Sequence, residues 1–495
     1  MKKILFVIWS YSLGGGAEAL LTTIVNRLDP HKYQIGILEF YHSSTKKEPV
    51  DSHIKIYDSV TFAGDRDYQK KMYYTYHEPD QMIRNYVPAG YDLYISFNYQ
   101  IPSFLLPKGS RNIAWIHGAV YDLAKSGMEE YRRLQGAAFE KAGKIVAISD
   151  ITACSIRELF PEHADKLVEI YNAVDVGKIR EKADCFTEIQ LKRPTVLFVG
   201  RLDENKDPLR ALDIFHIIAG KNGLAHLYYL GKGELEAQIR EKASAYGLSD
   251  RVHVLGYLEN PFPVMKQADV CCMTSKSEGF PLSLLESVAL GVPFVSTEVG
   301  GARVLSNDGR CGKVYVTEEE GAEAVLGILE MPEEVREREC RESISRFTLD
   351  AYINRIEKLL DEALEAEPVL ENTAAWNGTE SREKLEDRKY YYRFPKGLIP
   401  KDSRVIIYGA GDVGTDYCRY IQETGICQVA AWVDAAAEKY RSAGKEVKDI
   451  ETIFQAEYDV VLIAVMAEKV SKEIRRNLCQ RGIPESKILW ARPIY

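Results

Sequence analysis

Glu278 and Glu286 stand eight residues apart, and each carboxylate can accept hydrogen bonds from two neighbouring hydroxyls of a sugar or a ribose. Glu278 lies in the polar run Thr274-Ser275-Lys276-Ser277-Glu278-Gly279-Phe280-Pro281-Leu282, while Glu286 sits among Leu284, Leu285, Val288, Ala289 and Leu290. A carboxylate in that apolar company is half buried and needs partners. Gly279, just before the helical stretch Ser283–Leu290, offers backbone N–H groups to a phosphate. Further upstream, Gly200-Arg201-Leu202-Asp203-Glu204-Asn205-Lys206 puts two cations on one loop, which suits a diphosphate and would neutralise a nucleotide leaving group. A solvated charged loop is the plainer reading of the same residues. The run Gly14-Gly15-Gly16 follows the first apolar segment and suits close approach to a phosphate or sugar, or simply a tight turn. His117 closes Trp115-Ile116-His117, where a lone histidine usually serves as a structural hydrogen-bonder.

These residues need rigid elements, and the hydrophobic pattern supplies them. Ile4–Ile8, Gln34–Phe40, Tyr91–Phe97, Ile113–Ile116 and Ile145–Ile148 are short apolar runs, several apolar on both faces, as strands of a parallel sheet covered by helices must be. Ala17–Leu28 between the first two carries Leu20, Leu21, Ile24, Val25 and Leu28 on one helical stripe. A second series runs through Thr195–Val199, Leu227–Leu230, Val252–Leu255, Val270–Thr274, Phe294–Ser296 and Lys313–Val316, with Ala351–Ala366 as an amphipathic closing helix. A third occupies Arg404–Tyr408, Val429–Val433, Val460–Val465 and Ile488–Trp490. The expectation is an α/β protein of three doubly wound units: residues 1–176, 177–366 and, after a polar linker over 367–400, a smaller one over 401–495. The charged linker makes the third unit look separable.

The chain has 495 residues and a formal net charge of −9, so it lacks the basic excess of a protein whose main ligand is a nucleic acid. Its nine cysteines show no zinc-ligand spacing, which fits reduced thiols in a cytoplasm. No run of 18 or more apolar residues exists, and the N-terminal MKKILFVIWS lacks a signal-peptide cleavage pattern.

With the motifs in view, the first 365 residues resemble the retaining family-four glycosyltransferases of bacterial surface-polysaccharide synthesis. That family has the GT-B fold, two Rossmann-like domains facing a cleft. The resemblance rests on Glu278-Gly-Phe-Pro-Leu-Ser-Leu-Leu-Glu286, Gly14–Glu18, Tyr171-Asn172-Ala173-Val174-Asp175, Gly200-Arg201 with Lys206, Leu230-Gly231-Lys232-Gly233 and Val254-Leu255-Gly256-Tyr257, in that family's order. Ala173 departs from it, standing where a glycine is usual. The resemblance implies that Glu286 holds the ribose and Glu278 the donor sugar. Arg201 and Lys206 would neutralise the diphosphate, and His117 would face the sugar. Gly15, Gly16, Gly200, Gly231, Leu255, Ser275, Gly279, Phe280, Pro281 and Leu282 would line the donor site, with Val254–Gly256 around the base. It implies a UDP-hexose, or GDP-mannose, as donor and a lipid-linked or glycan acceptor, with capsule or exopolysaccharide as product class. Transfer would need no metal or cofactor: the one Asp-x-Asp triplet, Asp65-Arg66-Asp67, lies away from these motifs. A nucleotide-sugar 2-epimerase and an NAD-dependent oxidoreductase are the alternatives. Tyr68–Tyr76 (YQKKMYYTY) reads either as packed aromatics or as a segment touching the cytoplasmic face of the inner membrane.

In the third unit, Gly409, Gly411 and Gly414 follow a strand and precede a helix, and Asp434 ends the next strand twenty residues on. That pattern suits a dinucleotide, with glycines at the pyrophosphate and the acid on the ribose. The unit resembles small Rossmann modules appended to surface-polysaccharide enzymes. Two readings stand, a site for NAD(P) or a nucleotide sugar, and a scaffold.

Overall fold

A computed structural model describes residues 1–12, 15–43, 50–125, 127–369 and 389–493. The chain divides into two compact units, Met1–Ala63 with Pro88–Ala124 and Arg132–Gly378, and Gly64–Val87 with Lys125–Tyr131 and Thr379–Tyr495. Most of the linker expected over 367–400 lies outside the described residues, as does Gly14.

The first unit holds two parallel sheets. In the seven-stranded one, Lys2–Ile8 pairs with Tyr33–Glu39 on one side and Leu93–Phe97 on the other, and the order continues outward through Asn112–Ile116, Lys144–Ala147 and Leu167–Glu169. All five residues of Leu93–Phe97 and of Asn112–Ile116 are buried, which is why the runs read as apolar on both faces. In the six-stranded sheet Thr195–Val199 lies between His226–Leu230 and Val270–Met273, with Phe294–Thr297 and Gly312–Tyr315 beyond. Each sheet reverses its winding beside its first strand. Open α/β sheets bind ligands at that switch point, off the carboxyl ends of the strands. The loops there start at Trp9–Ser12 and Asn98–Gln100 in one sheet, and are Gly200–Asp207 and Thr274–Pro281 in the other.

The two sheets are tied by shared core and by two crossings of the chain. Val174 N–H donates to the Phe347 carbonyl at 3.2 Å, so the outgoing and returning strands run side by side. The helix Leu349–Glu365, expected to close the second domain, lays its apolar face in one cluster with Leu20, Leu21 and Ile24 of the first. Tyr33 Oη donates to Asp361 at 2.7 Å and Arg111 Nε to the Ala366 carbonyl at 2.7 Å, anchoring it there.

The second unit has a four-stranded parallel sheet in the order Gln428–Val433, Arg404–Tyr408, Val460–Ile463, Ile488–Leu489. It also contains the helices Tyr68–His77 and Pro79–Tyr86, which sequence boundaries assign to the N-terminal domain. Gln69 Nε2 donates to Asp412 at 2.9 Å and Tyr392 Oη donates to Gln69 Oε1 at 2.7 Å. Tyr74 and Tyr76 are buried, and Tyr76 meets Tyr131 edge to face at 5.0 Å. The aromatics of YQKKMYYTY are therefore packing groups, and the C-terminal domain is not separable at its linker without uncovering them. Among the described residues no helix is long and apolar enough to cross a membrane.

Candidate functional site

A cavity of about 390 Å³ opens between the two sheets of the first unit. From the N-terminal side it is lined by Gly16, Ala17, His117 and Ile148, and from the other by Gly200, Arg201, Lys206 and Glu278–Ser283, with Asn172 at the crossing. Thus His117, Gly16, Gly200, Arg201, Lys206, Glu278, Gly279, Phe280, Pro281 and Leu282 come together. Gly15, Gly231, Leu255, Ser275 and Glu286 stand behind or beside this lining.

The loop after Thr195–Val199 is wound tightly enough to aim its lysine. Asp203 Oδ1 accepts the N–H groups of Asn205 and Lys206 at 3.1 and 3.0 Å, and Thr274 Oγ1 donates to the carbonyls of Lys206 and Asp207. Lys206 Nζ then donates to Glu278 Oε1 at 2.5 Å, both side chains largely shielded from solvent. The two groups that the resemblance assigns to diphosphate and sugar therefore hold each other. A ligand phosphate would draw the ammonium away and free the carboxylate for hydroxyls. Arg201 is paired with Asp203 at 3.1 Å and its side chain is 74% exposed, free to swing toward an anion at the rim.

Two polar atoms of the lining are left without partners. His117 Nε2 and Asn172 Oδ1 are buried and make no hydrogen bond among the described residues. His117 packs on Phe97 with ring centroids 4.2 Å apart, and burial pushes its pKa down to about 3. The ring is therefore neutral near pH 7 and offers one donor or one acceptor at Nε2, not a proton to relay. Unsatisfied buried polar atoms facing a cavity mark where a polar ligand repays their desolvation.

Glu286 lies one helical turn beyond Leu282 on Leu282–Ala289, half-buried, and burial raises its carboxyl pKa to about 7. Its carboxylate makes no hydrogen bond among the described residues, so the need for partners inferred from its apolar neighbours is still open to a ligand. Several glycines serve close packing of backbone. A Cβ at Gly279 would lie 2.0 Å from the His117 carbonyl oxygen, and one at Gly231 1.8 Å from that of Gly200. Gly279 is thus where the two domains touch. Leu255 packs in the small cluster around Leu230 and Tyr228, and Gly256 accepts the Gly231 N–H at 2.8 Å.

Sequence reasoning missed Glu39. Fully buried at the end of Tyr33–Glu39, it accepts hydrogen bonds from the N–H groups of Tyr11 and Ser12 at 2.7 and 2.8 Å and from both Ser10 and Ser12 hydroxyls. It pins the chain entering the glycine loop. A charged residue ending an otherwise apolar strand was the only signal, and it has no local pattern.

In the second unit, Gly411 faces open space, but Gly409 and Gly414 are explained by packing: a Cβ would lie 2.6 Å from the Ala464 carbonyl and 1.9 Å from that of Gly409, respectively. Asp434 already accepts the N–H groups of Ala410 and Ala436 at 2.7 and 2.8 Å. Lys445 Nζ donates to the Ala410 carbonyl at 2.9 Å and to Thr415 Oγ1 at 2.8 Å beside this turn.

The fold defined by this geometry is GT-B. Anabaena HepE in complex with UDP and glucose superposes with a TM-score of 0.54 at 17% identity, over 73% of this chain and all of that one. WaaG, a glycosyltransferase involved in lipopolysaccharide biosynthesis, does so at 0.55 and 16%, with the same coverage. Residues 180–345 match the family model described as glycosyl transferases group 1, and residues 401–489 match the C2185-like N-terminal model. Several similar proteins are bacterial polysaccharide glycosyltransferases. One is the amylovoran biosynthesis glycosyltransferase AmsD of Erwinia amylovora, 24% identical over 62% of this chain and 85% of its own. Another is a Campylobacter jejuni N-acetylgalactosaminyltransferase acting on a diphospho-undecaprenol glycan, 33% identical over 31% of this chain and 41% of its own. An uncharacterized glycosyltransferase of Methanocaldococcus jannaschii is 24% identical and spanned over 56% of its length.

Proposed function

We propose that this chain is a retaining glycosyltransferase that moves a hexose from a nucleoside-diphosphate sugar, UDP-linked in the first instance, to a lipid-linked or polysaccharide acceptor of the cell envelope. The observation that carries the reading is the cavity itself: a lysine–glutamate pair at the switch point of one sheet, with the unpartnered Nε2 of a neutral histidine contributed by the other.

In the reaction, the bond between the anomeric carbon and the β-phosphate oxygen breaks, and its electron pair stays on the phosphate. The acceptor hydroxyl oxygen bonds to the same face of the anomeric carbon, and its proton passes to the departing phosphate oxygen. The products are the glycoside and the free nucleoside diphosphate. Lys206 and Arg201 stabilise the charge that grows on the leaving group, which is where fixed cations lower the barrier most. Glu278, released from Lys206, and His117 Nε2 orient the sugar hydroxyls, and Glu286 takes those of the ribose. The chain's own cations do this work, so activity in excess EDTA equals that without it. Proton NMR of the product from an α-linked donor tests the stereochemistry. An α-anomeric doublet supports retention, and a β doublet overturns it.

A further inference from the structure

The second unit contains a cavity of about 550 Å³, larger than the donor cavity and within the range of about 300–1,000 Å³ typical of small-molecule sites. Its floor is aromatic. Phe394 stacks on Tyr420 with centroids 5.3 Å apart and planes 14° from parallel, and Tyr73 meets Tyr391 at 6.0 Å. Its rim carries Lys389, which is paired with Glu423 at 2.6 Å, together with Arg393 and Lys396, against the lining carboxylate of Glu130. The walls are held before any ligand arrives: Asp416 Oδ2 accepts the N–H groups of Tyr391 and Tyr392 at 2.7 and 2.9 Å, and Tyr392 Oη is fixed on Gln69.

We propose that this cavity, which shares no lining residue with the donor cavity, is a second carbohydrate site that binds an acidic stretch of the acceptor or product glycan. Aromatic faces carry negative quadrupole charge and so attract the C–H faces of pyranose rings, and the three cations select for carboxylate or phosphate substituents on them. Glu130 decides against a nucleotide. Its Oε2 is buried without a hydrogen-bond partner among the described residues, and the basic side chains beside it stand outside hydrogen-bond distance, Arg393 at 3.8 Å from Oε2 and the His77 ring at 3.6 Å from Oε1. An acceptor in that state takes a sugar hydroxyl and repels a diphosphate. No glycine-rich turn contributes backbone donors to the lining. The choice of a glycan as occupant rests on the glycosyltransferase reading.

The test uses the full chain with trigalacturonate, a heparin-derived tetrasaccharide, neutral maltotriose and UDP as probes, by saturation-transfer NMR and calorimetry. At least one acidic probe should bind more tightly than maltotriose, and UDP should not displace it. Arg393→Ala, at a side chain that is 74% exposed, should weaken that acidic probe about tenfold while UDP affinity and donor hydrolysis stay unchanged. Tyr391→Ala should weaken it independently of charge. Binding of no acidic probe above maltotriose, displacement by UDP, or indifference to Arg393→Ala would each overturn the proposal. If UDP still binds in those cases, the second site alone falls; if UDP binds nowhere, the glycosyltransferase reading falls with it.

Discussion

Gly279→Ala is the smallest change that should separate binding of the halves from chemistry. The added methyl would lie 2.0 Å from the His117 carbonyl oxygen, and 2.9 Å from both its carbonyl carbon and Ile148 Cδ1. Carbon atoms essentially never approach closer than 3.0 Å, so the two domains must part by about 1 Å at the point where they meet. The closest obstacle is the His117 backbone, which no side-chain rotation can relieve. Overpacking of that kind costs about 1–3 kcal/mol. A misplacement of about 1 Å between reacting groups costs about 100-fold in rate, and in the proposed mechanism His117 on one domain meets the sugar held by Glu278 on the other. The expected outcome is a modest loss of melting temperature, UDP affinity within a few-fold of wild type, and kcat down about 100-fold. Gly327→Ala is the control. It lies mid-helix in Glu318–Glu330 with nothing within 4 Å of the new methyl, and should stabilise by about 0.5–1 kcal/mol with activity intact. Wild-type kcat in Gly279→Ala would refute the claim that this contact sets the catalytic geometry.

Lys206→Ala should lower kcat by about 100-fold with a much smaller effect on donor affinity, since the leaving charge grows in the transition state; a change confined to KM would reduce Lys206 to a binding residue. Glu286 has a folded pKa near 7 against an ordinary 4.5, so the native state holds a proton that the unfolded chain releases, and stability is lost as pH rises through that window. Glu286→Gln should therefore gain in melting temperature relative to wild type between pH 5 and pH 8, and a constant difference would contradict the burial argument. Ending the chain at residue 369 removes the partners of Gln69 and Tyr73, so limited proteolysis should cut within 64–87 while UDP binding persists; equal resistance in both proteins would show that the segment is held elsewhere.

The strands were legible because sheets buried on both faces demand unbroken apolar runs. Thr195–Val199 and Arg404–Tyr408 match to the residue, and most others to within one or two. The loops that line the cavity were legible for a related reason: Lys206, Glu278 and Gly279 lie in loops that follow strands at a switch point, where local order in sequence becomes proximity in space. What escaped was long-range. Nothing near Tyr73 or Gln69 announces a partner more than 300 residues away. The depressed basicity of His117 depends on Phe97 against its ring, and the pairing of Lys206 with Glu278 on a loop wound by Asp203 and Thr274. Gly279 and Gly414, read from sequence as close approach to a phosphate, and Gly231, read as lining the donor site, also give clearance to neighbouring backbone.

Release of nucleoside diphosphate from a panel of UDP-glucose, UDP-galactose, UDP-N-acetylglucosamine and GDP-mannose, by the full chain and by Lys206→Ala, tests the central claim most directly. The account expects release from at least one donor, reduced about 100-fold in the variant. Absence of both binding and release across the panel, or equal release by the two proteins, would contradict it.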